Sequence, residues 1–152
     1  MKIYIASSVK NSKRVLQYTV LLRAAGHQVF NFLEVDATTT DRDRDFPELR
    51  HLNALTFLES PNVQRIFFVD RFGIDWADAV LLLLPAGPSA HLEAGYAVGK
   101  RKLLYILREE WPTGEFEVMY SFAEGLFTAV EDIISAIGLR ERLENQLVAV
   151  RG

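Results

Sequence analysis

The sequence predicts one doubly wound α/β domain, in which helices cover both faces of a parallel β-sheet. Short apolar and β-branched runs alternate with segments of helical periodicity, which is the pattern of successive β-α-β units. The central apolar run, residues 79–84, lacks polar residues on either face, as expected for a strand buried in a parallel sheet. The chain has 152 residues. That is the size of a single domain, and no repeat or linker divides it.

The first half of the chain begins with a strand over residues 2–6, which are β-branched, aromatic or apolar after Lys2. Residues 10–25 place apolar side chains at helical spacing, and Gly26 supplies a helix stop. Residues 27–33 alternate as a second strand. Residues 34–45 are polar and lack a period, which leaves two interpretations open: a solvated loop or a flap over a site.

The second half alternates helices with apolar strands. Two helices, predicted over residues 47–58 and 62–76, are separated by a Ser-Pro pair. The remaining elements are the central strand 79–84, a helix over 89–99, and strands over 102–107 and 126–127. The sequence TAVE at residues 128–131 is a capping box that begins a C-terminal helix. We place the domain at residues 1–140 and regard residues 141–152 as a C-terminal helical extension or tail.

Composition indicates an ordinary globular protein and excludes several classes of function. Hydrophobic residues make up 49% and charged residues 24% of the chain. The net charge of −3, with acids and bases mixed, gives no surface suited to a nucleic-acid polymer. No apolar run is long enough to span a membrane, and the N-terminus enters a strand pattern without a signal peptide.

Two further features of the composition bear on cofactors and location. The chain has no cysteine, which excludes disulfides and thiolate chemistry and fits a cytoplasmic protein. The three histidines show no metal-ligand spacing. We therefore expect no metal and no other cofactor.

Glu93 is an acidic residue without an obvious structural reason. In doubly wound folds, ligands bind where strands end at the carboxyl edge and helices begin. Ser89 is a good N-cap for the helix after the central strand, so Glu93 becomes an early helical residue whose ionised form is favoured by unpaired amides and the helix dipole. A capping box would need its acid at Leu92. Glu93 therefore either complements the dipole or serves a site.

Asp70 is a second acid with no local explanation. Its neighbours one turn away are Ile66, Phe67, Gly73 and Ile74, so its helix face is apolar and offers no base. An acid on such a face is either bound to backbone donors or kept for chemistry. Asp75 differs, because Arg71 lies one turn before it and predicts an ordinary surface pair.

The helix that carries Glu93 is rich in small residues, which are Ala90, Ala94, Gly95, Ala97 and Gly99. Small side chains let a helix lie close to the sheet or to a partner helix, and they leave room beside Glu93. We expect the helix to pack against another subunit through Ala94, Ala97 or nearby positions.

These segments together resemble the nucleoside 2-deoxyribosyltransferase family and its relatives that hydrolyse nucleotide N-glycosidic bonds. The resemblance rests on IYIASS at residues 3–8, on an Asp eight residues before the Asp that opens the central strand, and on SAHLEAGYAVGK at residues 89–100. It extends to about residue 138. It implies a flavodoxin-like fold, a nucleoside or nucleotide substrate, and a homodimer or higher homo-oligomer with sites near subunit interfaces.

The resemblance also implies catalytic roles. The family's catalytic glutamate corresponds to Glu93, its helix aspartate to Asp70, and the strand tyrosine whose hydroxyl orients the glutamate to Tyr4. Glu93 would attack the sugar as a nucleophile, as in retaining glycosidases. Asp70 would protonate or orient the departing base, since apolar surroundings favour a protonated carboxyl group.

Substrate contacts are implied at two junctions. Ser7 and Ser8 correspond to the loop that touches sugar or base. Family members place a sugar-binding acid or a phosphate-binding serine six residues before the glutamate. That position is Gly87 here, with Ser89 and His91 nearby as substrate-binding candidates.

Two classes of function stay open. The chain is either an enzyme that cleaves an N-glycosidic bond and transfers the sugar to another base or to water, or a non-catalytic nucleotide-sensing or interaction domain, since a fold does not fix a function. The presence of both Asp70 and Glu93 favours an enzyme, because a binder of a polyanion gains nothing from two acids. Lys10 and Arg14 could hold a phosphate or could belong to a solvated helix face.

Overall fold

The structure, a computed structural model, describes residues 1–34, 52–115 and 117–151, and in residue 151 only the backbone. Within these ranges, five strands form one sheet: β1 (Lys2–Ser7), β2 (Gln28–Phe30), β3 (Ala79–Leu83), β4 (Leu103–Leu107) and β5 (Gly125–Phe127). The strands lie in the order β2-β1-β3-β4-β5, and every neighbouring pair is parallel. The predicted doubly wound parallel sheet is confirmed, with the strand order of flavodoxin-like folds.

The helices flank the sheet on both sides. They are α1 (Ser12–Ala24), α2 (Ala54–Leu58), α3 (Pro61–Trp76), α4 (Pro88–Gly99) and α5 (Val130–Arg151), with two 3₁₀ helices at Val9–Asn11 and Val118–Phe122. Helices α1 and α5 pack on one face of the sheet, and α3 and α4 pack on the other. No helix of the described ranges is long and apolar enough to cross a membrane.

The core explains why the central strands are almost wholly apolar. Successive side chains of a strand point to opposite faces, and both faces of β1 and β3 are covered by helices. Ile5 and Leu81 therefore contact the layer of α1 and α5, whereas Tyr4 and Val80 contact the layer of α3 and α4. Every residue of β3 is buried.

Several elements are shorter than predicted. Strand β2 ends at Phe30, because the Asn31 side chain accepts the amide of Leu33 and begins a turn. Helix α1 starts at Ser12, after the 3₁₀ turn. The described part of the helix predicted over residues 47–58 begins at Ala54. Residues 47–51 and the predicted loop beyond residue 34 lie outside the described residues.

Helix α4 begins one residue earlier than predicted, and Ser89 is not its N-cap. Gly87 is the N-cap, and Pro88 occupies the first helical position, where its missing N–H costs nothing. Glu93 is therefore the sixth residue of the helix, and no acid lies in the first turn. Since the field of a helix end acts mainly within that turn, Glu93 lies further from the helix end than the sequence analysis assumed.

The alanines of α4 pack inside the chain itself. Ala90, Ala94 and Ala97 are at most 3% exposed and contact the sheet layer that includes Val80 and Leu104. Their short side chains bring the helix axis close to the strands. Ala94 and Ala97 are therefore covered within the chain, whereas Leu92, Gly95 and Gly99 on the same helix are exposed. That the helix packs against another subunit through positions near these alanines stays a prediction.

Helix α5 runs without a break through residue 140. The division into a domain over residues 1–140 and an extension over 141–152 consequently falls inside one helix and stays a prediction. The turn between α1 and β2 uses Gly26 with φ of +89°, a left-handed conformation that favours glycine and fits its predicted role as a helix stop.

Candidate active site

A cleft of about 250 Å³ opens beyond the carboxyl ends of β1 and β3. The chain leaves β1 towards β2 on one side of the sheet and later continues from β3 towards β4 on the other. This reversal of strand order is the position where doubly wound folds bind ligands. The cleft volume is slightly below the lower end of the range for small-molecule sites, which is about 300 Å³.

The structure brings seven of the eight predicted site residues to this cleft. Those seven are Tyr4, Ser7, Ser8, Asp70, Gly87, Ser89 and Glu93. They come from β1, the turn after it, α3, and the loop and first turns of α4. Ala90, one of the small residues expected to leave room beside Glu93, also lines the cleft, and the sequence reasoning had not proposed Val9, Phe32 and Ile66, which add apolar walls. Their apolar character gave no signal that would separate them from core residues.

The two acids come from neighbouring helices on the same face of the sheet. Asp70 lies on α3 and Glu93 on α4, and both side chains are partly buried where they line the cleft. The Oδ1 atom of Asp70 is screened from solvent. A ligand that fills the cleft thus meets two carboxyl groups.

Tyr4 lies between the sheet and the cleft. It is 1% exposed and belongs to the side of β1 that faces α3 and α4. Its ring lies 5.6 Å from the ring of Phe30, centroid to centroid. The alternation of β1 therefore places this tyrosine on the same side of the sheet as Asp70 and Glu93.

Three consecutive carbonyl groups at the end of β3 accept hydrogen bonds from the last residue of β1 and the segment that follows it. The bonds are Ser7 Oγ to Leu83 O (2.9 Å), Arg14 Nη1 to Leu84 O (3.2 Å) and Asn11 Nδ2 to Pro85 O (2.7 Å). Asn11 Nδ2 also donates to Ser7 Oγ at 3.1 Å. These bonds hold the loop between β3 and α4 against the first junction. No sequence pattern indicated a role for Asn11, whose partner is 74 residues away.

Arg14 is also bound on its other side. Its Nη2 lies 2.8 Å from Oε1 of Glu109, which accepts a hydrogen bond of 2.6 Å from Tyr18. The hydrogen bond from Tyr18, followed by those from Arg14, holds the pKa of Glu109 below its ordinary value. Neither Arg14 nor Lys10 lines the cleft. The structure thus gives Arg14 a role in holding a loop and gives no support for a phosphate contact.

His91 is the predicted site residue that does not line the cleft. Its Nδ1 lies 2.9 Å from the carbonyl oxygen of Gly87, and its Nε2 lies 3.0 Å from the hydroxyl of Tyr120. The two rings are stacked, with centroids 6.0 Å apart and an interplanar angle of 14°. Both ring nitrogens thus have partners within the protein, and the direct substrate contact predicted for His91 has no support.

The remaining polar positions differ in what they offer a ligand. Ser8 Oγ accepts the amide of Lys10 at 3.2 Å and caps the first 3₁₀ helix. Ser89 is an exposed residue in the first turn of α4. A side chain added at Gly87 would meet open space. No group of three His, Cys, Asp or Glu side chains that could hold a metal occurs in the part of the chain that the structure describes.

Comparison with known proteins gives matches at the level of structure. No protein-family model matches the chain, and no curated protein matches its sequence. A 2-deoxyribosyltransferase of Bacillus psychrosaccharolyticus is similar over 88% of this chain and 90% of its own, with a TM-score of 0.61 and 22% identity. The CMP N-glycosidase BcmB of Clostridium botulinum is similar over 92% and 99%, with a TM-score of 0.54 and 14% identity.

The chain therefore has the flavodoxin-like fold of nucleoside deoxyribosyltransferase-like enzymes, as the sequence resemblance implied. Its structural neighbours include both kinds of protein that the resemblance named, a deoxyribosyltransferase and a nucleotide N-glycosidase. At these identities the likeness concerns the fold. What this chain does must be argued from its own cleft.

Proposed function

We propose that this protein cleaves the N-glycosidic bond of a nucleoside or nucleotide and passes the sugar to another base or to water. The observation that carries the proposal is the placement of Asp70 and Glu93 in one small cleft at the switch point of the sheet. Retaining glycosidases use two carboxyl groups as their catalytic residues, of which one attacks the sugar and the other assists the leaving group. The named activities of the two structural neighbours support the same bond as the target.

In the first step the carboxylate of Glu93 attacks C1′ of the sugar. The C1′–N bond breaks, and its electron pair leaves with the base through a state that resembles an oxocarbenium ion. A C1′–O ester to Glu93 forms. Asp70 gives a proton to the departing base, and such acid assistance contributes about 10²–10⁴-fold to the rate.

In the second step a new nucleophile attacks C1′ and breaks the ester. Water gives the free sugar and makes the protein a hydrolase. A second base gives a new nucleoside and makes it a transferase. In either case Asp70 takes the proton from the attacking group, and Glu93 returns to its carboxylate form.

Other residues of the cleft position the substrate in this proposal. The hydroxyl of Tyr4 orients the carboxylate of Glu93. Ser7 donates to a backbone carbonyl and so shapes the junction, whereas Ser8 can still donate its hydroxyl proton to the sugar or base. Gly87 leaves space beside the sugar, and Ser89 offers a hydroxyl at the rim.

A homo-oligomer and a cytoplasmic location stay predictions of the sequence. Since Ala94 and Ala97 are buried within the chain, an interface on α4 would have to use its exposed positions, such as Leu92, Gly95 and Gly99. Light scattering at micromolar concentration measures the assembly, and a monomer there would contradict it.

The test begins with a panel of nucleosides and nucleotides incubated with the protein, followed by an assay for free base. Glu93→Gln keeps the shape of the side chain but removes the charge that must meet the sugar cation. We expect binding to survive while turnover falls by orders of magnitude, because the lost interaction exists mainly in the transition state. Asp70→Asn should reduce turnover most for bases that need a proton to leave.

Glu131→Gln provides the matched control, since Glu131 lies in the first turn of α5. Removing an acid from such a position costs about 0.3–1 kcal/mol of stability through the helix dipole. It should leave base release unchanged. Near-normal turnover by Glu93→Gln would refute the nucleophile, and binding without base release by the wild type would favour a nucleotide-sensing domain.

A further inference from the structure

The hydrogen bonds of His91 define which of its two ring nitrogens carries the proton. The carbonyl oxygen of Gly87 can only accept, so Nδ1 of His91 carries a proton and donates it over 2.9 Å. In the neutral imidazole Nε2 is then an acceptor, and the hydroxyl of Tyr120 donates to it over 3.0 Å. Burial, and after it the charge of Glu117, raises the pKa of Tyr120 above its ordinary value, which keeps the hydroxyl protonated and able to donate.

The same carbonyl group is the first acceptor of α4. The backbone amide of His91 lies 3.4 Å from the oxygen of Gly87, which is long for a helical hydrogen bond. The ring Nδ1 is 0.5 Å closer, the difference between 3.4 and 2.9 Å. The first turn of the helix is thus closed chiefly by a side chain, which satisfies the carbonyl from within the turn.

This first turn carries much of the cleft. Gly87, Ser89 and Ala90 line it directly, and Glu93 follows less than one turn later. A displacement of Gly87 or of the helix start would therefore change the position of the proposed nucleophile. Misplacement of a reacting group by about 1 Å can cost about 10²-fold in rate.

The ring of Tyr120 is itself in contact with Trp111. Tyr120 belongs to the second 3₁₀ helix, and its ring makes an edge contact with Trp111 at 6.1 Å between centroids. Trp111 donates from Nε1 to the carbonyl of Phe127 in β5 at 3.3 Å. A connected series of contacts thus runs from the edge strand of the sheet to the start of α4.

We propose that His91 and Tyr120 form a positioning pair, which fixes the first turn of α4 so that Glu93 is held at the cleft, and that neither residue touches the substrate. This inference rests on the proposed function, and it replaces the substrate contact predicted for His91. Its central element is the donor at Nδ1, with Tyr120 holding the ring in the orientation that this donor needs.

Two amide substitutions separate the two ring nitrogens. In His91→Asn the amide nitrogen can occupy the place of Nδ1 and donate to Gly87, whereas in His91→Gln it reaches only the place of Nε2. We expect kcat of His91→Gln to fall roughly 10-fold or more, and kcat of His91→Asn to stay within about 3-fold of the wild type. KM should change by less than about 2-fold in both. Tyr120→Phe keeps the aromatic ring but removes the hydroxyl, and we expect its kcat to lie between those of the two His91 variants.

Other roles give other patterns. If His91 binds the substrate, both amide variants raise KM and Tyr120→Phe leaves it unchanged. If the pair only stabilises the fold, melting temperatures fall while kcat stays the same for all variants, measured well below melting. Equal kcat values for His91→Asn and His91→Gln overturn the inference, whichever of these two other roles His91 has.

The tautomer of His91 provides a readout that does not need activity. Nitrogen–proton NMR of the imidazole at a pH of about 8, where an ordinary histidine is neutral, should show the proton on Nδ1 in the wild type. Absence of base release by the wild type would refute the proposed function and remove the kinetic comparison. The tautomer of His91 would then test the positioning pair by itself. A proton on Nε2 overturns the positioning pair, whether or not the protein releases base.

Discussion

Gly73 on α3 should not tolerate even a methyl group. A Cβ built at this position would lie 2.6, 2.7 and 2.8 Å from three carbon atoms of the Phe30 ring, closer than real Cβ atoms approach other atoms. The ring cannot simply move away, because Tyr4 and Trp76 pack against it with centroids at 5.6 and 6.2 Å. Gly73→Ala therefore forces either the ring or the helix to shift.

The magnitude follows from two opposing effects. Overpacking a well-filled core costs about 1–3 kcal/mol. Replacing a helical glycine by alanine returns about 0.5–1 kcal/mol. The two effects leave a net loss of about 1 kcal/mol at the middle of their ranges, which corresponds to a fall in melting temperature of roughly 2–4 °C for a chain of this size.

Gly95 on α4 provides the matched control. It also lies inside a helix, but an added Cβ would meet nothing within 4 Å. Gly95→Ala should therefore stabilise the protein by about 0.5–1 kcal/mol. Thermal unfolding followed by circular dichroism compares the two variants. If both raise the melting temperature equally, the reasoning from the Phe30 contact is refuted.

The same substitution should also reach the cleft. Gly73 lies one turn after Asp70, and the ring of Phe30 contacts Tyr4, so either shift moves a residue that lines the site. We expect base release by Gly73→Ala to fall severalfold at a temperature where the variant is folded. Unchanged release together with the predicted loss of stability would mean that α3 keeps Asp70 in place despite the strain.

Two further predictions concern a buried histidine and a loop anchor. Burial, helped by the N-terminal amine, lowers the pKa of His27, so below about pH 6.5 the unfolded chain binds more protons and stability should fall with the pH. His27→Gln should weaken this dependence of stability on pH, which urea unfolding at acidic and neutral pH measures. An equal loss of stability at acidic pH in the wild type and the variant would contradict the prediction. Asn11→Ala removes two hydrogen bonds and should cost about 1–2 kcal/mol and lower kcat. Asn53→Ala removes the cap of α2 at about 1 kcal/mol and should leave kcat unchanged, so equal kcat for both variants would contradict the anchor.

Much of the fold could be predicted because its signals are local. The run over β3 is apolar on both faces, and it is buried at every position. The spacing of α3 predicted its bounds to within one residue, since Ser60 and Pro61 mark its start. The pairing of Arg71 with Asp75 also follows from one turn of helix, with 3.8 Å between Nε and Oδ2.

The errors have two kinds of cause. The bounds of β2 and α4 depend on local features that the periodicity did not include, which are the turn at Asn31 and Pro88 at the first helical position. Other errors arise because the partner is distant in sequence, as for His91, whose Nε2 lies against the hydroxyl of Tyr120, 29 residues away. The alanines of α4 could pack on the sheet or on a second chain with the same local pattern. Only the assembled layers decide which surface they cover.

The sequence by itself determined the elements, their parallel arrangement and the two acids that lack a local explanation. The tertiary structure decided that these acids share one cleft, because that depends on the order of strands and on which helices cover which face. Bonds such as Ser7 to Leu83 and Asn11 to Pro85 join residues 76 and 74 positions apart. Periodicity reports the burial of a side chain within its own element. It carries no information on which residue of another element contacts that side chain, and a binding site is formed by such contacts between elements.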